Sequence, residues 1–254
     1  MNIDTIIING GRLIAGLPSA PFNGSIDIIM RKTSPVTISL PQDLPTMEPK
    51  MIGVMGGLDL HGTSRGITWT RLATTAVAGQ NQINLSQRVD WNIGDEIVIT
   101  TTDTDLSHTE RHRIVNIQNG LVISTATVLA YTHRVIQQTF ANGQRVNVSA
   151  AVALLTHNVR VINENSGSNR EGFRIHVLGY TTNTWHLYTN LYYPTCYLGY
   201  VRISNTQFIG FGQFDDSYNT DQRAGIYFNN LGDYKSNRAT FIDSSSFDSG
   251  FNAA

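Results

Sequence analysis

Apolar and β-branched residues come in short runs separated by Gly, Asn, Asp and Pro, and no stretch carries the apolar spacing of an amphipathic helix. Thr5–Ile8, Arg12–Ala15, Ile26–Met30 and Val36–Leu40 form a first series. Ile52–Met55, Leu58–Leu60 and Ile67–Thr70 follow, then Gln82–Leu85, Glu96–Thr101, Arg113–Ile117 and Leu121–Thr125. Asn119-Gly120 lies between the last two and predicts a tight hairpin, because both residues tolerate positive φ. The second half carries Val159–Asn163, Phe173–Leu178, Tyr197–Ile203 and Ala224–Phe228 with irregular spacers. Leu72–Ala78 is at most a short helical turn. The pattern predicts an all-β fold.

A weak repeat runs through the C-terminal part. Ile203–Phe211 aligns with Ile242–Gly250, and Ile226–Leu231 fits between them. This predicts rungs of roughly 20 residues, the period of a solenoid of short strands. Ile and Phe would point inward, and Asn and Ser at the corners would bond to neighbouring rungs. Such a stack needs few charges, and only 15% of the chain is charged. The 18 basic and 19 acidic residues leave a net charge of −1, which argues against binding nucleic acid by phosphate neutralisation. One cysteine excludes an internal disulfide framework and a cysteine-rich zinc site. The N-terminal residues have no leader pattern, and no apolar run is long enough for a spanning helix. The abrupt strand-like runs at both ends predict a window cut from a longer solenoid.

The blocks Leu58-Asp59-Leu60-His61-Gly62, Thr68-Trp69-Thr70-Arg71-Leu72 and Trp91-Asn92-Ile93-Gly94-Asp95-Glu96-Ile97-Val98-Ile99, followed by Thr102-Asp103, occur in a fixed order. In this order they resemble the eight-glycine domain of the fibrocystin-like family. That family is related to the cell-migration-inducing and transmembrane hyaluronidase proteins. The resemblance implies the C-terminal part of an eight-glycine-type β domain over residues 1–150. Residues 151–254 would then be the first rungs of a right-handed parallel β-helix, a pectate-lyase-like solenoid. It further implies a secreted or cell-surface protein whose partner is a hyaluronan-like glycan or an extracellular protein. A membrane would enter only through other parts of a longer chain. Wording such as Thr68-Trp69-Thr70-Arg71 lies nearer the fibrocystin-like branch than the hyaluronidases, which favours an interaction module without catalysis. The alternatives are a hyaluronan-depolymerising hydrolase and a structural fragment with no activity of its own.

Strand alternation sends Asp59 and His61 to one face, where a carboxylate beside an imidazole could run acid–base chemistry. If the chain is an enzyme, the catalytic candidates are Asp59, His61, Asp95 and Asp103, with paired carboxylates serving glycoside hydrolysis. Asp95, Asp103, Asp105 and Glu110 also make calcium possible, although no calcium-loop motif is present and no other cofactor is expected. His108 and His112 are four apart, but the second lies in a strand-like run, so no metal site is assigned. Arginine outnumbers lysine 15 to 3. The planar guanidinium of Arg65, Arg71 or Arg111 suits uronate carboxylates. Trp69 is the stacking partner placed with them, and Trp91, Trp185, Tyr188, Tyr192 and Tyr193 are further aromatics suited to sugar rings.

Overall fold

The computed structural model describes residues 1–33, 37–40, 44, 46–164, 172–212, 224–231 and 240–249. Val36 and residues 250–254, part of two runs expected from sequence, lie outside them. The strands begin with β1 (Asn2–Ile3), β2 (Thr5–Ala15), β3 (Ile26–Met30) and β4 (Met51–His61). Next come β5 (Trp69–Arg71), β6 (Gln82–Asn84), β7 (Glu96–Ile99), β8 (Glu110–Gln118), β9 (Val122–Thr125), β10 (Val135–Thr139), β11 (Arg145–Ser149) and β12 (Ala151–Leu154). The last are β13 (Val159–Asn163), β14 (Arg174–His186), β15 (Leu191–Leu198), β16 (Tyr200–Ser204), β17 (Thr206–Phe211), β18 (Ile226–Asn229), β19 (Phe241–Asp243) and β20 (Ser246–Ser249). Among the described residues the only helical element is a 3-10 turn at Leu106–His108, so the fold is all-β and Leu72–Ala78 forms no helical turn. Among the described residues no helix is long and apolar enough to cross a membrane.

The chain divides into two compact units, residues 1–64 with 157–254, and residues 65–156. Among the described residues the first unit holds two sheets. One has the order β1-β3-β13-β17-β20, with every pair parallel. In the other, β2 runs along one edge of β4. The opposite edge of β4 is shared: β14 pairs with Met51–Val54 and β16 with Gly57–His61. Beyond these, β18 extends β14 and β19 extends β16, again in parallel. The chain thus passes repeatedly from one sheet to the other, from β2 to β3, β16 to β17 and β19 to β20. Ile52, Val54, Leu58 and Leu60 of β4 pack with Val159, Val161, Ile175, Ile203 and Phe208 in one buried cluster.

The aligned repeat corresponds to stacked strands. Ile203 lies opposite Ile242, and Phe208 opposite Phe247. The step is 39 residues, the separation of the Thr206 N–H from the Ser245 Oγ that accepts it at 3.1 Å. Ile226 does not form an intermediate rung. It lies opposite Ile175, on the same tier as Ile242. The period is longer than sequence spacing predicted because the chain passes through strands of both sheets between Ile203 and Ile242.

The turns after neighbouring strands are tied to one another. Phe22 N–H donates to His61 O at 2.8 Å, Gly62 N–H to Ser204 O at 3.0 Å and Asn205 N–H to Asp243 O at 3.3 Å. Asn205 and Ser244 turn the chain with φ of 50° and 48°, the left-handed region that Asn enters more readily than most residues. The Asn158 side chain donates to Phe22 O and Gly24 O at 2.6 Å each and accepts from Thr63 N–H at 2.8 Å. Where β2 bulges at Gly10-Gly11, a Cβ on Gly56 would overlap the Gly11 carbonyl. Glycine is what lets those two backbones meet.

The second unit is antiparallel, in the order β5-β12-β7-β8-β9-β6. Ala73 N–H donates to Asn84 O and Ser86 N–H to Arg71 O, both at 2.8 Å, which closes β6 back onto β5. Ile83, Ile97, Ile99, Ile114, Ile123, Val152 and Leu154 fill the ring. Asn119 and Gly120 make the expected β8–β9 hairpin at φ of 53° and 66°. A separate β10–β11 hairpin completes the unit.

Phe208 is fully buried against Phe173, Phe211 and Phe247, the last stacked at 4.7 Å with rings 2° apart. Phe208→Ala should lower the stability of the parallel unit by about 3–5 kcal/mol, measured as a fall in its urea midpoint.

Candidate functional site

The four expected catalytic residues divide between the units: Asp59 and His61 belong to the first, Asp95 and Asp103 to the second. Asp59 and His61 alternate with Leu58 and Leu60 on β4, so they face away from the apolar interior. Both are nonetheless fully buried. Oδ2 of Asp59 accepts Nε–H and Nη2–H of Arg12 at 3.2 and 2.8 Å, and the Tyr200 hydroxyl lies 3.5 Å away. Oδ1 of Asp59 and Nε2 of His61 face each other at 4.0 Å, and neither has a hydrogen-bond partner among the described residues. His61 Nδ1 lies 2.7 Å from Ser204 Oγ. Burial pushes the His61 pKa down, with Asp59 opposing and Arg202 adding to the shift. The imidazole is therefore a neutral, enclosed group. A cleft of about 350 Å³ nearby is lined by Arg12, Tyr197 and Tyr200, but Asp59 and His61 are not among its walls.

Asp95 is buried, and its Oδ2 accepts Asn92 N–H at 2.8 Å, closing the turn that launches β7. Arg65 braces the same turn, with Nη2 3.8 Å from Asp95 and Nη1 donating to Asp90 O at 3.3 Å. Trp91 is buried there and donates Nε1–H to Ile67 O at 2.6 Å, so it presents no stacking face. Asp103 and Asp105 clamp His108. Its Nδ1 lies 2.7 Å from Asp103 and its Nε2 3.5 Å from Asp105. Its ring stacks on Tyr131 at 3.9 Å. These carboxylates serve a loop, and no group of three or more metal-ligating side chains is assembled among the described residues.

Glu110 anchors a network that sequence spacing does not reveal. Its carboxylate accepts Ala130 N–H at 2.7 Å and Tyr131 N–H at 2.8 Å. It also lies 3.2 Å from His112 Nε2 and 3.0 Å from His133 Nε2, both rings buried. His133 is 23 residues from Glu110, and nothing local in either segment marks the pair.

Three of the four expected ligand-binding residues share one surface. Trp69 and Arg71 flank buried Thr70 on β5 and point outward. Trp69 lies opposite Ala153, Ala153 opposite Val98, and Val98 opposite Arg111. This lateral row crosses three strand spacings, ~14 Å along the sheet. The Arg71 guanidinium sits 5.7 Å from the centre of the Trp69 ring and donates Nη1–H to Ser149 O at 2.7 Å. Trp69 is 55% exposed. Ala153 and Val98, both half-buried, lie between the indole and Arg111 in this row.

Residues 1–73 match the G8 domain family. Over its whole length the chain is 32% identical to human Fibrocystin-L, of which it covers 6%. The chain belongs to the G8-domain, fibrocystin-like family. A G8 domain-containing protein of Dictyostelium discoideum is 32% identical over 183 residues, 70% of this chain and 15% of that one. Among solved structures, the tailspike gp61 of Pseudomonas phage phi297 overlaps 97% of this chain and 39% of its own at a TM-score of 0.35 and 10% identity, too slight a likeness to carry an argument. The G8 match includes Arg12, Asp59 and His61 together with Trp69 and Arg71, whereas Arg111 and the Glu110 network follow it.

Two titrations check this chemistry. The His108 pKa is raised above 6.5, chiefly by its bond to Asp103, whose own pKa is held at about 2. The clamp is thus complete between the ordinary carboxylate range and 6.5, and is lost as pH rises through the raised His108 value or falls through that of Asp103. NMR should find the His108 pKa above 6.5, returning toward it in Asp103→Asn. For Glu110, burial alone would raise the pKa, but the two backbone N–H groups and His133 and His112 together bring it below 4.5. Its contribution is present above 4.5 and disappears as pH falls through the lowered value. Glu110→Gln should remove that slope from acid-unfolding curves and cost about 1–3 kcal/mol at neutral pH.

Proposed function

We propose that this chain is an extracellular or cell-surface interaction module that binds an acidic glycan without cleaving it. The observation that carries the reading is the row from Trp69 to Arg111 on the outer face of the antiparallel unit. An exposed indole offers a face to the apolar side of a sugar ring. Arg71 and Arg111 offer guanidinium groups to carboxylates, a better match than lysine for planar oxyanions. The spacing between them suits more than one sugar unit, so a polymer such as hyaluronan is the ligand class. We further read the parallel strands of the first unit as rungs of a right-handed parallel β-helix.

Burial of Asp59 and His61, with Asp59 held by Arg12, supports binding over hydrolysis, because a polymer has no route to a fully enclosed pair. Calorimetry with hyaluronan fragments tests the proposal. Trp69→Ala and Arg111→Ala should each weaken binding about tenfold, and Asp59→Asn should leave it unchanged if the fold survives. Shortening of high-molecular-weight hyaluronan by the wild-type chain, abolished in Asp59→Asn, would replace this reading with the hydrolase.

A further inference from the structure

We infer that the β14–β15 hairpin is a lipid-docking element that seats its tip in the interfacial layer of a bilayer. Residues 175–201 contain no Asp, Glu, Lys or Arg, although 15% of the chain is charged. Within this span the strands leave the parallel sheet. Pairing of β14 with β4 ends at Val177, and from Gly179 to His186 its partner is β15 alone. The base is pinned: Tyr180 and Tyr197 stack at 4.8 Å, and the Tyr180 hydroxyl donates to Asn9 Oδ1 at 2.8 Å.

Exposure rises toward the tip. Leu187 is 86% exposed and Tyr188 96%, with Leu191 at 57% and Tyr192 at 66%. Trp185 pairs with Tyr192 on one face of the ribbon, and Thr184 with Tyr193 and His186 with Leu191 on the other. A two-stranded ribbon cannot bury apolar groups carried on both faces and at its end. A flat partner would cover one face, whereas a fluid interface covers both faces and the tip together. The absence of Asp, Glu, Lys and Arg matches a neutral, partly dehydrated phase. Trp and Tyr favour the headgroup level, and the leucines favour the acyl boundary beneath it. Leu187 and Leu191 offer a sugar neither a ring face nor a hydrogen bond, so the tip does not repeat the glycan surface. Depth is limited because β15 is the edge of its sheet and keeps backbone groups that need water, with Pro194 removing one donor from that edge.

Sedimentation of the 254-residue chain with neutral phosphatidylcholine vesicles tests the inference. The chain should partition into the vesicle pellet, with little change at high salt. Leu187→Ser with Leu191→Ser should lower partitioning about tenfold or more, with an unchanged thermal transition because both sites are exposed. Trp185→Phe should keep most of the partitioning but remove the vesicle-induced blue shift of tryptophan fluorescence. The inference is overturned if the chain stays in the supernatant, if the double serine variant partitions like the wild type, or if high salt abolishes binding. It is equally overturned if the serine pair abolishes glycan binding and leaves vesicle partitioning intact.

Discussion

The parallel unit depends on one strand that is hydrogen-bonded along both edges and covered on both faces. β4 takes β2 along one side, and on the other takes β14 and then β16, end to end. Its partners come from segments more than a hundred residues downstream as well as from the N-terminus. A strand in this position needs apolar side chains toward the interior and an equally complete cover for the other face. Leu58 and Leu60 meet the first need. Arg12, Tyr200 and Ser204 meet the second by closing over Asp59 and His61.

That second face explains why a carboxylate and an imidazole sit in the middle of a packed strand. A buried carboxylate is costly unless its charge and lone pairs are engaged. The half-exposed Arg12 side chain provides a countercharge from the neighbouring strand, and the bulge at Gly10-Gly11 sets the register that brings Arg12 opposite Gly57 rather than against a larger residue. The pair thus reads as a device joining adjacent strands. In the antiparallel unit, Glu110 plays a comparable part, gathering two loop N–H groups and two imidazoles at the edge of the ring.

Much of the secondary structure was legible because strands announce themselves locally. The β8–β9 hairpin followed from Asn119-Gly120, and the stacking of Ile203 on Ile242 and Phe208 on Phe247 followed from a short alignment. The misplaced Ile226 shows the limit of that reasoning: equal apolar spacing cannot distinguish a new rung from a second strand on the same tier. The β14–β15 hairpin was hidden because Thr, Asn and aromatic residues on both faces leave no alternation to detect. Of the candidate residues, Trp69, Arg71 and Arg111 share a face only through register with β7 and β12, while Arg65 and Asp95 turned out to brace one turn.

By itself the sequence determined an all-β chain of the fibrocystin-like family, with polar corners, few charges and a carboxylate–imidazole pair on one strand. Those properties rest on residue type and near-neighbour spacing, which act over a few residues. Only the tertiary structure decided that the pair is enclosed, that an indole and an arginine line up across four strands, and that an uncharged aromatic hairpin stands clear of its sheet. Each of these depends on pairing between distant segments, and register between such segments is set by packing of the whole stack.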